Sequence, residues 1–579
     1  MNKRVILFST VTMLFFALIY IWYCEAVMVE VPHLSWFSQV LMADQFFSGE
    51  LEFFDLFDSG GEHGMLANNI IYLVNLLLFH GMTKFDVVLN DINVIITGCI
   101  IVCCVVKTLE GTWEKCAGIL LVSFFMFTCM QGSAGAMETQ VRLGLLFFVI
   151  TSIFIDKELH ITECVKRRHL VWTLLLIFLS INVFGTMYSF AAIPTVWIII
   201  VCCIWKYKRL FKNQMAVAGA YFAAILIYIF EYNVLRPSKA KENIFAYAIQ
   251  FFLHPIQTLK CFCSWCANGI LGYGYYTSTE YNERVWLTVG GLCFLIIVLA
   301  VVVFFITKMY LKTWMPLLLI TYCFGVMMLV FLGRNGTWEW LASEWYNVHL
   351  KLLYAGTVWI YVYAWEQAEK FRIVYIICTT FLCICSLTGL KFCLERAVHM
   401  HSWYKNMQTY LFVDNPDDMP VDENGNTPLL ENKDITMESI RILKKYHLSV
   451  YRYWDAYENC PSVVSDRNSI KYISGIYDDG WAEKDCIFAM RKEQADAIKF
   501  TCYAQQEQYL TVTVNGEVLP EKFLLKKEQS EIIIPCDVWD DVIKIEISSD
   551  YAKQLSAPDE RVCSYIITNI ERYQKSMEL

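Results

Sequence analysis

The sequence predicts a polytopic α-helical membrane protein of about 11 to 13 transmembrane helices, followed by an extracytoplasmic all-β sandwich. Three observations lead there. Of 579 residues, 57% are hydrophobic, which is too many for a soluble chain. Apolar runs near 5–24, 66–80, 88–106, 116–130, 141–155, 170–184, 188–205, 214–230, 285–306, 314–332, 347–365 and 373–390 alternate with polar loops. Beyond about residue 391 the apolar runs shorten and begin to alternate with charged residues.

The chain opens Met-Asn-Lys-Arg, then runs apolar from Val5 to Cys24. That stretch is long enough to span and no small-residue cleavage site follows it, so it reads as a first transmembrane helix rather than a cleaved signal. Aromatic residues make up 16% of the chain, with 18 Trp and 33 Tyr, which suits helix ends seated at a membrane interface. Orientation follows the basic loops. Lys166, Arg167 and Arg168, then Lys206, Lys208, Arg209 and Lys212, then Lys308 and Lys312, then Lys370 and Arg372 are placed on the cytoplasmic side, with Lys3 and Arg4. Segments 25–65, 131–140, 185–187, 231–284, 333–346 and everything after 390 then fall outside. The early part does not close: an odd number of crossings is needed between an outer residue 65 and an inner residue 156, and the sequence offers runs at 66–80, 88–106, 116–130 and 141–155. The short run at 66–80 is therefore expected to be re-entrant or partly embedded.

After 390 the segment 437–454, MESIRILKKYHLSVYRYW, reads as an amphipathic helix with Ile440, Leu443, Tyr446 and Leu448 near one face. From about Ser469 the runs AIKFTCYA, YLTVTVNGEVL, EIIIPC and DVIKIEIS have period two, with a turn at Asn515-Gly516. The expected division is a transmembrane domain over 1–390, a linker with the amphipathic helix over 391–465, and the sandwich over 466–579. Trp481 is expected in the sandwich core rather than stacked on a sugar ring. Most of the 23 cysteines lie in apolar runs, where cysteine acts as a small hydrophobe. Cys261, Cys263 and Cys266 lack a second pair and sit among apolar residues, which disfavours a structural metal site. The tail's Cys460, Cys486, Cys502, Cys536 and Cys563 form an odd set, which suits a reducing or anaerobic habitat better than a disulfide framework.

Function is sought first in residues 25–65. This stretch carries Glu25, Glu30, Asp44, Glu50, Glu52, Asp55, Asp58 and Glu62, with His33 and His63 and no Lys or Arg. An acidic loop between apolar segments faces water and is read as one wall of a functional site. The formal charge of -9 argues against a nucleic-acid partner. Arg236, Lys239 and Lys241 form a basic cluster on the outer side, contrary to the usual charge bias, and Arg334 stands at the outer end of a spanning run.

In its order of elements the chain resembles bacterial integral-membrane glycosyltransferases of the GT-C superfamily, which use polyprenyl-phosphate sugars. Residues 31–36 (VPHLSW), 49–57 (GELEFFDLF) and 62–64 (EHG) are similar to that group's first outer loop. Glu138, the stretch from Gly185 to Pro194, and Gly333 to Gly336 followed by Ala342, Ser343 and Tyr346 are similar to its later motifs. Residues 475–481 (GIYDDGW) are similar to the opening of its carboxy-terminal sandwich. Ser35 stands where that pattern has Asp, Gly64 where it has Arg, and Glu344 or Trp345 where it has Arg.

The resemblance implies an inverting hexosyltransferase that moves a sugar from a polyprenyl-phosphate donor to a cell-envelope glycan, on the outer face of the bacterial cytoplasmic membrane. Such transfer needs a carboxylate to take the acceptor's proton, for which Glu62, Asp44 and Glu138 are the candidates, with Glu30 behind them. The leaving phosphate needs a cation, for which Arg334 is the first candidate and Arg236 and Lys239 follow. His63, His33 and Tyr346 complete the substrate-binding set. No resident cofactor or metal ligand is assigned, although Glu62 and His63 are of a type to share a divalent ion or a proton. Donor, acceptor glycan and membrane lipid are the expected partners. Two alternatives stand beside this one. The three departures fit a non-catalytic relative acting in envelope glycan assembly. A lipid-linked glycan transporter is the other, and it would bury acids or bases within several spans.

Overall fold

The computed structural model describes residues 3–32, 36–57, 66–128, 139–160, 167–183, 198, 201, 212–234, 253–333, 338–343, 346–367, 371–411, 419–423, 425–451, 470–477, 480–491, 495–536, 542–555 and 561–573. It is mostly helical, with an antiparallel sheet at the carboxy-terminal end. The chain divides into two compact units, one of Met1–Met28, Leu51–Tyr72 and Asp86–Ser402, the other of Val29–Glu50, Leu73–Phe85 and Trp403–Leu579.

The helices are α1 (Lys3–Val27), α2 (Trp36–Ser48), α3 (Leu66–Phe79), α4 (Thr83–Thr108), α5 (Thr112–Phe127), α6 (Thr139–His160), α7 (Arg167–Phe178), α8 (Lys212–Val234), α9 (Pro255–Tyr276), α10 (Glu283–Ile306), α11 (Met315–Gly333), α12 (Asn347–Gln367), α13 (Arg372–Tyr410) and α14 (Lys433–Lys445). Among the described residues, four stretches are long and apolar enough to cross a membrane: α1, α4, α10 and Arg372–Tyr404 of α13. Shorter apolar helices cover further expected runs, at Leu66–Phe79, Arg168–Val183 and Met315–Phe331, the run at 188–205 lies largely outside the described residues, and α12 covers the run at 347–365. Every residue from Asn347 to Ala364 is buried, so its apolar composition reflects burial within the helical unit on all sides.

In the first unit, loops far apart in sequence gather at one end. Glu366 accepts hydrogen bonds from the backbone N–H of Glu110 (2.8 Å) and of Gly111, and Lys312 pairs with Glu110. Asp156 accepts from Thr313 Oγ1 at 2.9 Å and from the Trp314 N–H. The last turns of α4, α6 and α12 therefore meet the start of α5 and α11. At the other end Lys351, near the start of α12, reaches the carbonyls of Met126 and Thr128 that finish α5. Helices α4, α5 and α6 cover the expected runs at 88–106, 116–130 and 141–155, and of the three only α4 is long and apolar enough to cross a membrane. The remaining run is α3, whose 14 residues extend about 21 Å against a hydrocarbon core of about 30 Å.

In the second unit, the part of 25–65 that it holds, Val29–Glu50, departs from expectation, because Trp36–Ser48 is a helix rather than part of an open acidic loop. The acids flank this helix, and within it only Asp44 is charged. Trp36, Phe37, Val40, Met42 and Ala43 are buried, opposite Ile440, Ile442 and Leu443 of α14. Ser439 Oγ donates to the Phe37 carbonyl at 3.4 Å, and Phe47 stacks on Tyr446 at 4.6 Å between centroids. The expected amphipathic helix is thus present as α14, ending at Lys445 before a short 3-10 turn at Ser449–Tyr451.

The strands are β1 (Ile470–Ile476), β2 (Trp481–Arg491), β3 (Ala497–Ala504), β4 (Gln508–Val514), β5 (Glu517–Val518), β6 (Phe523–Leu525), β7 (Glu528–Pro535), β8 (Val542–Ser549), β9 (Lys553–Gln554), β10 (Val562–Cys563) and β11 (Tyr565–Tyr573). Nine of them join one antiparallel sheet along the path β5-β4-β8-β2-β11-β3-β7, with β1 on β2 and β6 on β4. The sheet forms a half-barrel, and two packed layers are not seen among the described residues. Alternate residues of each strand fill its core: Phe488 and Met490, Ile498 and Phe500, Leu510 and Val512, Ile543 and Ile545. Asn515 and Gly516 both take positive φ, 50° and 86°, as a two-residue hairpin between β4 and β5 requires. Trp481 is half-exposed at the first position of β2, outside the core where the sequence put it. Cys486, Cys502, Cys536 and Cys563 are buried.

Candidate functional site

The end of the first unit where Lys351 meets α5 gathers most of that unit's buried charge. Lys351 Nζ donates to the Met126 and Thr128 carbonyls at 3.1 Å each and lies 4.4 Å from the centre of the Tyr20 ring. Those carbonyls are among the last in α5, which lack partners within their own helix, so the ammonium closes a helix C-terminus. Asp91, about two turns into α4, is 4% exposed, takes a hydrogen bond from Cys24, and lies within electrostatic reach of Arg142, Lys351 and Glu25. Arg142 is 3% exposed and also acts on His349, whose Nδ1 is 2.9 Å from Tyr322 Oη. One acid and two bases, from α4, α6 and α12, are thus enclosed by an apolar unit, where charge interactions are stronger than in water, with the half-exposed Glu25 of α1 in reach.

Helix α9 folds back into this end. Its backbone breaks at Gly272 (φ 71°, ψ 166°), a conformation open to glycine almost alone. Were α9 straight, Lys260 and Tyr276 would stand about 24 Å apart along its axis. Instead Lys260 pairs with Glu283 at 3.0 Å, while the Tyr276 ring lies 5.5 Å from that of Trp286, so both limbs flank the first turn of α10. Gly290 of α10 admits the descending limb, since a Cβ there would sit 1.9 Å from the Cys263 carbonyl oxygen. Deep in the hairpin, Asn268 Nδ2 donates to the carbonyls of Leu341 (2.9 Å) and Ser343 (2.8 Å). The segment before Tyr346 is thereby tied to α9, and the Tyr346 ring lies 6.3 Å from that of Trp265.

Of the residues singled out by sequence, Tyr346 is buried in this region, at 5% exposure. Glu138 lies outside the described residues, but the chain on either side of it does not: Thr128 is bound by Lys351, and Arg142 stands in the first turn of α6. Glu62, His63, His33, Arg334, Arg236 and Lys239 also lie outside the described residues.

Asp44 and Glu30 belong to the second unit and already have partners there. Asp44 Oδ1 accepts from Lys445 Nζ and from Tyr446 Oη, both at 2.9 Å. The Lys445 hydrogen bond, and then that from Tyr446, hold its carboxyl below the usual range, which makes it a weak base. Glu30 is wholly buried. Its Oε1 accepts from the Thr83 N–H (2.8 Å) and Ser449 Oγ (2.6 Å), and its Oε2 from Thr83 Oγ1 (2.8 Å) and the Lys84 N–H (3.1 Å). It satisfies the open N–H groups at the start of α4, a capping role.

Sequence reasoning did not single out Arg142 and Lys351. The signal was present, since a charge inside a run such as VHLKLLYAGTVWIYVY costs free energy unless paired. Charges had been sought in loops. Among the described residues no group of three or more His, Cys, Asp or Glu is arranged to hold a metal ion. Comparison with known proteins finds no matching family model, no similar curated protein and no similar solved structure.

Proposed function

We propose that the chain is a membrane glycosyltransferase of the bacterial cytoplasmic membrane, moving a sugar from a polyprenyl-phosphate donor to a cell-envelope glycan on the outer face. The observation that carries this reading is the buried charge at one end of the helical unit. Arg142 and Lys351 stand there beside Asp91, at helix ends that bracket Glu138 in sequence and, for Lys351, directly follow Tyr346. In the reaction the acceptor hydroxyl oxygen bonds to the anomeric carbon and the bond from that carbon to the phosphate oxygen breaks, inverting the configuration. A carboxylate, Glu62 or Glu138, takes the hydroxyl proton. Polyprenyl phosphate leaves with an added negative charge, which Arg334 and Arg142 offset. Asp44 ranks behind the other two acids because Lys445 and Tyr446 occupy it. The half-barrel is read as the extracytoplasmic domain of the superfamily pattern.

Purified protein is expected to transfer label from one member of a panel of polyprenyl-phosphate sugars to envelope glycan. Glu62→Gln and Arg334→Ala should each reduce the rate at least a hundredfold, the usual scale for a lost general base or a lost charge stabiliser. Wild-type rates in both variants would remove the outer-face site from the account.

The transporter reading has one observation in its favour. Asp91, Arg142, His349 and Lys351 are buried within helices, as a translocation pathway through several spans would have them.

A further inference from the structure

Two polar atoms on α9 have no hydrogen-bond partner among the described residues although both are wholly enclosed: Trp265 Nε1 and Asn268 Oδ1. The amide orientation of Asn268 follows from chemistry. Its two partners, the Leu341 and Ser343 oxygens, are carbonyls that only accept, so the nitrogen must face them and Oδ1 must face elsewhere. Trp265 precedes it by three residues, so the two side chains share one face of the helix. One offers a donor and the other an acceptor. Buried polar groups left unmatched are few in native proteins, and a matched pair of opposite kind on one face suits a group that both accepts and donates. A hydroxyl does both. The Tyr346 ring beside Trp265 adds the aromatic surface on which a pyranose face packs. The fold-back at Gly272 holds this pair inside the unit, and irregular backbone at such depth is tolerated where it is buried in protein or lines a cavity.

We propose that Trp265 Nε1 and Asn268 Oδ1, with the Tyr346 ring, form a subsite that recognises a hydroxyl of the lipid-linked sugar. The inference rests on the proposed use of such donors and names the residues that tell sugar from bare carrier.

The test measures binding by purified full-length protein in nanodiscs. The probes are undecaprenyl-phosphate glucose, mannose and galactose, with undecaprenyl phosphate as the sugar-free control. Wild type should bind one of the hexose lipids more tightly than the control. Trp265→Phe, which removes the indole N–H with part of the fused ring and keeps an aromatic ring, should weaken that hexose lipid about tenfold and leave the control unchanged. Its thermal midpoint should fall, because the smaller ring leaves a cavity at a wholly buried position, so the readout is the ratio of hexose lipid to control and not stability. An unchanged ratio of hexose lipid to control in Trp265→Phe, or no preference in wild type, would overturn the subsite. Should the variant shift binding while wild type transfers no sugar, the subsite stands and the transferase reading falls. Should wild type transfer sugar and the variant keep its KM for the donor, the transferase reading stands and the subsite falls.

Discussion

Replacing Lys351 by Ala should lower the stability of the purified protein by about 3 kcal/mol or more, seen as a large fall in the thermal midpoint. The reason lies in what remains behind. The Met126 and Thr128 carbonyls end α5 and take both of their contacts from one ammonium group. Removing it strands two buried acceptors, each at a cost of about 1–3 kcal/mol, and forfeits the contact with the Tyr20 ring. The lost volume adds a cavity in a helix buried along its whole length. Lys351→Met refills that volume without restoring the donors, so it should be destabilised less than Lys351→Ala and still clearly below wild type. A Lys351→Met protein as stable as wild type would show that the ammonium is not what closes α5.

Glu30→Ala should have an effect of similar size in the second unit, about 3 kcal/mol, because four donors lose one acceptor group. Glu30→Gln should cost less, since its carbonyl oxygen still accepts from one pair of donors. The two variants should also differ from wild type in their pH dependence. Burial pushes the Glu30 carboxyl above its ordinary value of 4.5, against the opposing pull of the Ser449, Thr83 and Lys84 hydrogen bonds. A group whose folded pKa is raised contributes stability that is fully present below its unfolded value and is lost as pH rises through its folded value. The stability of wild type relative to Glu30→Gln should therefore fall as pH rises from about 4.5. Chemical denaturation of both proteins across mild acid to neutral pH measures that difference, and a difference that instead grows with pH would show that the hydrogen bonds outweigh burial.

How much of this was legible depended on whether a feature is local. Period-two strands and the Asn515-Gly516 turn stood in the sequence as they stand in the sheet, because side-chain alternation and positive φ are properties of a few adjacent residues. The apolar face of α14 was legible for the same reason. Helix α2 was missed because the charge count over 25–65 was dominated by acids outside Trp36–Ser48. The return of α9 was missed because it turns on Gly272, one glycine among several in CANGILGYGYY, and only long-range contacts with Glu283 and Trp286 reveal it. Arg142, Lys351 and Asp91 come from three helices, and their encounter is a product of tertiary packing that no window along the chain contains.

The reading of this end as a transferase site is tested most directly by following both halves of the donor in one vessel. Proteoliposomes holding the wild-type protein would be given a polyprenyl-phosphate sugar labelled in the sugar, with envelope glycan as acceptor, and the products separated by mass. The account predicts label covalently joined to glycan together with free polyprenyl phosphate in equal amount. Intact labelled donor carried to the opposite leaflet, with none joined to glycan, would contradict it and leave the buried charges of α4, α6 and α12 to a transporter.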